Sequence, residues 1–439
     1  MLQRRSILLG GVAATLAAAG GRLIPSSHAS RIRPGVSGGQ PAKKLVIVMA
    51  QGGWDVTFCM DPKLGAPQIE GPEVDYPDDE GLATYGGITI ASNPVVRPSV
   101  DAFFERWHDR LAIINGIRVD AIAHGVARAR MLSGSRVNAR PDVGAITGSV
   151  LGSQLPLGYV DAGGSGIFGP LAASSGRIGY QSQLRMLVDR TRAYPAPDDA
   201  GFTYPQYLLS DHDIDANEEY LAARGAALRN ARGGTTEHDV AMMDDWDEAR
   251  DRASRLIEFS PQFQQSLRLG QHPDAADLAL LTAELLAADA CQSVLLSGGE
   301  TFDTHQDNIE QHAAFEGLFD TLGHLAEQLD AAGLWEQTVL MVTSDFTRTP
   351  KRNELAGKSH WPINSAIVMG AGVKTGGGTY GGTTDDTFDA RPVDFATGKV
   401  DDHGDVLSFE HLGAGILQLV GVDSEDWMPG IVPFDAYHA

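Results

Sequence analysis

Five segments read as near-continuous apolar runs: KLVIVMA (44–50), LAIINGI (111–117), CQSVLLS (291–297), TVLMVTS (338–344) and INSAIVMG (363–370). None alternates apolar with polar positions, so each predicts a strand buried on both faces. Between them the spacing changes to the helical period. DLALLTAELLAADA (277–290) leads into the third run, and 309–329 places Phe315, Leu318, Phe319, Leu322, Leu325 and Leu329 on one face. LSFEHLGAGILQLVG (407–421) predicts a closing helix. Apolar strands alternating with helices predict an α/β layered fold around a mostly parallel sheet.

Two regions break this rhythm. Residues 155–275 are polar, helical in parts and carry acidic clusters such as DDWDEARDR (244–252). They read as a helical insertion over the sheet edge that carries the chemistry, inside one domain spanning 43–439. Residues 371–405 are rich in Gly, Asp and Thr and predict hairpins and loops.

The N-terminus reads as a targeting signal. Arg4 and Arg5 precede the short apolar segment ILLGGVAATLAAAGG, and Ser27-His28-Ala29 gives a small-x-small cleavage site. Residues 1–29 are expected to be a twin-arginine signal peptide, with 30–42 a flexible leader, and the mature chain periplasmic or secreted. The apolar segment is too short to span a bilayer, so the mature form is expected to have no transmembrane span. The 439-residue chain has a formal net charge of −23. Without a basic run to offset it, that charge argues against nucleic acid as a partner, because phosphate backbones need clustered Lys and Arg. The two cysteines, Cys59 and Cys291, lie in or beside apolar runs and are expected to be buried thiols; two are too few for a thiolate zinc site.

In open α/β sheets, ligands sit at the carboxyl ends of strands. The first strand runs into QGGWDVT, with Asp55. CQSVLLS runs into GGETFDTHQDN, with Asp303 and His305. TVLMVTS runs into Asp345, Phe346, Thr347 and Arg348. NELAGKSHWP carries Lys358 and His360 just before INSAIVMG. Carboxylates and neutral imidazoles that converge need a cation among them. Asp303 and His305 therefore read as two ligands of a divalent metal. Arg128, Lys358 and Arg348 are candidate contacts for a phosphoryl or sulfuryl anion. For Arg348, neutralising a nearby carboxylate is an equal alternative.

The order of these residues resembles the alkaline phosphatase and sulfatase superfamily, and HGVARARMLSGS (124–135) is similar in spacing to a sulfatase active-site stretch. More closely, QGGWD, FDTH, SDFTRT and GKSHW resemble the motifs of a bacterial exported family called domain of unknown function 1501. The resemblance implies a three-layer α/β sandwich of the alkaline phosphatase/sulfatase type. It implies one metal site from Asp303, His305 and His360, and part of a second from Asp55 and Asp345. His/carboxylate sites suit zinc, manganese or iron, and a second site poor in ligands would suit calcium or magnesium with waters. Where phosphatases follow S-D with a histidine ligand, this chain has Phe346. At the sulfatase nucleophile position it has His124. Three roles are open to His124: ligand of the second metal, catalytic base or nucleophile, or helix cap. Thr57 is the nearest hydroxyl to Asp55.

Together these features predict an exported metal-dependent hydrolase or transferase of phosphate or sulfate esters. The acidic surface favours a small or lipid-linked anionic ester over a polyanion. The alternative is a non-catalytic envelope protein that keeps the fold. Three weaker signals are set aside. GSGIFG (164–169) has no clear strand before it and Pro170 after it. His312 and His324 are most simply exposed or packed on a helix. Asp401-Asp402-His403 sits in a Gly-rich loop.

Overall fold

The computed structural model describes residues 42–135, 140–177, 188, 190–191, 209–232, 236–259, 274–299 and 301–439. The expected signal peptide, nearly all of the leader and parts of the 155–275 insertion lie outside them.

The central sheet has eight strands: β1 (Lys44–Ala50), β2 (Leu111–Arg118), β3 (Tyr159–Asp161), β4 (Ser175–Arg177), β5 (Ser293–Ser297), β6 (Thr338–Ser344), β7 (Ile363–Gly370) and β8 (Gly378–Gly381), in the order β8-β2-β7-β6-β1-β5-β3-β4. The central strand β1 pairs in parallel with β5 and with β6, Val46 facing Val294 on one side and Leu340 on the other. All seven of its residues are buried. Its period-2 pleat sends alternate side chains to two separate cores.

Val46, Val48, Leu296 and Val342 meet one helical layer. It is built from α1 (Pro98–Trp107), α6 (Ala275–Ala287) and α7 (Glu310–Ala331). Leu45, Ile47, Leu295 and Met341 meet the other layer, built from α2 (His124–Ser133), α3 (Val143–Leu151) and α8 (Phe409–Val420). This is the expected three-layer sandwich. Each fully buried Leu, Ile or Val contributes roughly 1.5–3 kcal/mol relative to exposure, so Leu45–Ala50 stabilise both cores, and the one polar residue of β1, Lys44, sits at its first position and reaches out to Asp289. Cys59 and Cys291 are buried and unpaired, as expected. Burial pushes both thiols up, Cys291 to about 12.

Seven strands run one way. β7 runs the other, antiparallel to both β2 and β6. This matters for the chemistry, because a residue just before a strand lies at the carboxyl edge of the sheet only if that strand is reversed.

Two expectations change. Within 155–275, β3 and β4 belong to the central sheet, and the described helices are α4 (Asp211–Arg232) and α5 (Glu237–Phe259). On α5, Arg252 donates to the carbonyls of Ser153 and Leu155, and Arg255 to that of Gln154. Those residues lie in the loop entering β3, so α5 is anchored at the amino edge and not over the carboxyl edge. GSGIFG does follow a strand, β3, but it opens into a short 3-10 helix at Gly169–Ser174, not an α-helix.

Candidate metal centre

Beyond β1 the chain turns through Gly52 and Gly53, at φ +104° and +84°. A Cβ on Gly52 would lie 2.7 Å from the Asp303 nitrogen, and one on Gly53 2.4 Å from the Phe346 ring. Glycine alone allows both the backbone conformation and the contact. Arg348 then ties the edge together. It is fully buried and donates from Nε to the Gly53 carbonyl (2.7 Å), and from its terminal nitrogens to the carbonyls of Gly52, Phe302 (2.8 Å) and Lys358 (3.1 Å). One of those nitrogens also holds Asp303 Oδ1 at 2.8 Å. Arg348 is therefore a clamp joining the ends of β1, β5 and β6 and the approach to β7, with its charge placed on Asp303. It does not reach an external anion.

Four side chains converge at this edge. His124, Asp303, His305 and His360 each offer one ligand atom, all within 4.8 Å of one another. Asp303 Oδ1 lies 3.2 Å from His305 Nε2, 3.5 Å from His124 Nε2 and 3.6 Å from His360 Nε2. A tetrahedral ion with bonds of ~2.0–2.2 Å separates its ligand atoms by about 3.3–3.6 Å, so these three spacings suit one ion.

The outer bonds orient the rings. His124 Nδ1 donates to Asp345 Oδ2 at 2.8 Å, and His360 Nδ1 donates to the Ile122 carbonyl at 2.6 Å. A neutral imidazole that gives away its Nδ1 proton has a lone pair on Nε2. Both lone pairs point at the shared centre, as in metal sites whose outer partners fix the tautomer. His305 Nε2 lies 2.7 Å from His360 Nε2. With a lone pair on His360, the proton in that contact belongs to His305, and it is the proton a cation would displace.

Charge follows the same plan. Burial raises the Asp303 carboxyl, but the Arg348 bond and charge, with the neighbouring imidazoles, outweigh it and hold it below the usual carboxylate range. Burial lowers His360, and the Arg348 charge adds to this. The aspartate is an anion and the histidine neutral, the forms that bind metal. The rings of Phe346 and His360 lie 4.2 Å apart, and those of Phe346 and His124 4.8 Å apart. Phe346, itself fully buried, is thus an apolar floor under the histidines.

The other candidates sit elsewhere. Asp55 is fully buried. Its Oδ2 accepts from Lys358 Nζ (2.7 Å) and Asn308 Nδ2 (3.0 Å), and its Oδ1 from the Thr57 hydroxyl (2.7 Å) and backbone (3.2 Å). Both oxygens are committed, so Asp55 offers no ligand. Lys358 is fully buried on it and is not placed to meet an external anion. Asp345, also buried, gives Oδ2 to His124 and the Gly52 N–H and Oδ1 to Arg128 Nε (3.1 Å). The expected second site is not assembled: Asp55 neutralises a buried lysine, and Asp345 orients His124.

His124 instead joins the first site. Its sequence signal was the helical spacing His124–Arg128, one turn apart, which lets both reach Asp345. Arg128 is partly exposed, and its terminal nitrogens have no hydrogen-bond partner among the described residues. Among the discounted histidines, His312 is buried and 3.3 Å from Asp75, whereas His324 is half-exposed beside Asp320.

The fold and the site define an α/β protein with a candidate three-histidine, one-aspartate metal centre at the carboxyl edge of its sheet. The chain belongs to the family described as Protein of unknown function (DUF1501), which it matches over residues 42–431. No curated protein matches it. Among solved structures it is similar to a protein in the alkaline phosphatase superfamily from Vibrio parahaemolyticus, with 13% identity, 91% of this chain and 71% of that one covered, and a TM-score of 0.34. It is also similar to the PsFucS1 sulfatase from Pseudoalteromonas sp. (13%, 91% and 72%, 0.38) and to the zinc complex of the C-terminal periplasmic domain of EcEptC from Escherichia coli (8%, 89% and 85%, 0.40).

Proposed function

We propose that this protein is an exported metal-dependent hydrolase or transferase of phosphate or sulfate esters. One observation carries the proposal: three imidazole Nε2 atoms and one carboxylate oxygen aim at a common point, two of the rings being held in the metal-binding tautomer from outside. Three imidazoles suit zinc or manganese better than calcium or magnesium, which prefer oxygen ligands. His124, Asp303, His305 and His360 would hold the ion. When bound, such an ion polarises an ester oxygen or lowers the pKa of a water molecule.

The rest of the work falls to the chain. Asp345 fixes His124 through one oxygen and Arg128 through the other. This leaves the outer nitrogens of Arg128 to bind the peripheral oxygens of the ester anion in a fork. His124, placed among the ligands, is not free to act as a nucleophile. The Thr57 hydroxyl is donated to Asp55, and both cysteines are buried. These assignments favour direct attack by water or an acceptor hydroxyl over a covalent intermediate. The twin-arginine signal in the sequence supports export.

The test is metal content and turnover together. Protein purified from the periplasm should carry close to one zinc or manganese per chain and hydrolyse a member of a phosphatase, phosphodiesterase and sulfatase panel. Asp303→Ala and His360→Ala should abolish both. Turnover that survives these changes refutes the proposal. A protein that keeps its metal but is inert to the panel supports the alternative, a non-catalytic envelope protein.

A further inference from the structure

The three histidines of the centre are not held alike. His124 Nδ1 is tied to the fully buried Asp345 at 2.8 Å, and its ring lies 4.8 Å from that of Phe346. His360 Nδ1 is tied to the Ile122 carbonyl at 2.6 Å, its ring lies 4.2 Å from that of Phe346, and its backbone is paired with Arg348. Asp303 is held at 2.8 Å by the buried Arg348. His305 has no such hold. Among the described residues its Nδ1 meets no hydrogen-bond partner, and its ring meets only that of His360, at 4.5 Å. Its side chain is 44% exposed, against 30% for His124 and 18% for His360.

One spacing sets His305 further apart. Its Nε2 stands 2.7 Å from His360 Nε2. Two nitrogens on one tetrahedral ion stand about 3.3–3.6 Å apart, so one of these rings gives way by roughly 0.6–0.9 Å when an ion binds. His360 can move only by breaking its bond to Ile122 and leaving the Phe346 face. The His305 backbone is anchored, since its N–H donates to the Asp303 carbonyl at 3.2 Å and its carbonyl accepts from the Asn353 amide at 2.9 Å. An exposed ring on a fixed backbone turns about its own side-chain bonds. His305 is therefore the ring that yields, and it does so without disturbing the sheet edge.

We infer that His124, Asp303 and His360 are the fixed part of the centre and that His305 is its exchangeable ligand, the one that gives up its place to an incoming oxyanion. The inference rests on the metal-dependent ester-processing reading given above, and it assigns the position that the ester anion takes.

The experiment measures zinc binding to the full chain, first without phosphate and then with inorganic phosphate as the oxyanion. Competition with a chromophoric chelator gives zinc dissociation constants for wild type, His124→Ala, His305→Ala and His360→Ala. Losing even an outer partner of a ligand typically costs 10–100-fold, so losing His124 or His360 should cost more than about 100-fold, and losing His305 less than about 10-fold. Cobalt(II) loaded in place of zinc gives a visible spectrum that reports ligand exchange. Phosphate should shift that spectrum in wild type. It should bind His305→Ala at least about 3-fold tighter, because no imbalance between ring-on and ring-off states then opposes it. By the same linkage, the zinc constants of wild type and His305→Ala should agree within about 2-fold at saturating phosphate. Far-ultraviolet circular dichroism checks that each metal-free variant is folded, and His305→Val replaces the alanine variant if that one is not.

A His305 variant that loses zinc as fully as His360→Ala, or that binds phosphate no tighter than wild type, overturns the inference and leaves the metal centre and the ester-processing reading intact. The expected zinc hierarchy and phosphate response, with no ester turned over by wild type, overturn the ester-processing reading and uphold His305 as the exchangeable ligand. A wild-type chain that binds neither zinc nor cobalt removes both.

Discussion

Asp345→Asn tests how the centre is built. The wild-type carboxylate is fully buried and acceptor-only, so the His124 proton must sit on Nδ1, facing Oδ2 at 2.8 Å. The amide keeps the size but can present an NH2 to the same nitrogen. The His124 proton then moves to Nε2 and points at the metal position. Arg128 and Gly52 also lose a charged acceptor. Losing an outer partner of a metal-binding histidine typically costs 10–100-fold in affinity, which is roughly 1.4–2.7 kcal/mol. The expected result is a 10–100-fold rise in the zinc dissociation constant, measured by competition with a chromophoric chelator near pH 7. The metal-free protein should keep its far-ultraviolet circular dichroism. At a zinc concentration 100 times the wild-type constant, wild-type protein gains about 2.7 kcal/mol of apparent stability, and the variant much less. A folded variant that binds zinc within 2-fold of wild type would refute the assignment of Asp345 as the group orienting His124.

Three further outcomes follow from the same geometry. Lys358→Met strands the Asp55 charge in a fully buried position and should destabilise the protein by about 3–5 kcal/mol in urea unfolding, with Asp55→Leu added on top recovering much of the loss; a single variant within 1 kcal/mol of wild type would refute this. Gly53→Ala, which brings a methyl 2.4 Å from the Phe346 ring at φ +84°, should lower Tm and weaken metal binding together; a wild-type Tm would show that the 51–55 turn has slack. For the metal-free protein, His360 and His312 both have pKa values lowered from the ordinary 6.5, burial being the largest cause. The unfolded chain therefore binds more protons below pH 6.5, and folding stability should fall as the pH drops through that region, then level off below the folded values. His360→Gln should flatten part of this fall, and a slope unchanged in the variant would show that His360 does not contribute.

Much of this architecture was legible in the sequence because burial on both faces leaves an unmistakable mark. KLVIVMA, TVLMVTS and INSAIVMG match β1, β6 and β7 residue for residue, since burial on both faces makes the middle of each run apolar and confines polar residues to positions near its ends. The three-residue strands β3 and β4 were not legible, because a segment that short carries no period. Convergence of Asp303, His305 and His360 was readable from strand ends. The fates of Asp55 and Asp345 were not. Whether a carboxylate at a strand end binds metal or neutralises a neighbour depends on which cation arrives from elsewhere. Lys358 is separated from Asp55 by 303 positions and His124 from Asp345 by 221. Arg348 was read as an anion contact or a partner for a carboxylate; only its burial beneath four carbonyls identifies it as a clamp.

The reversed strand has a consequence for how the centre can change. Asp345 leaves β6 and His360 enters β7, and those strands are neighbours with Ala366 opposite Thr343. The interval between the two residues is thus set by backbone hydrogen bonds, those of the β6–β7 ladder and those of the short antiparallel pairing of His360–Trp361 with Thr347–Arg348. Sliding β7 by one residue would carry His360 about 3.3 Å along the edge and turn its flanking side chains to the opposite face. The sheet acts as a ruler between the carboxylate that orients His124 and the ligand His360: small adjustments of the loops can alter what approaches the ion, but this one interval changes only if the core itself is re-registered.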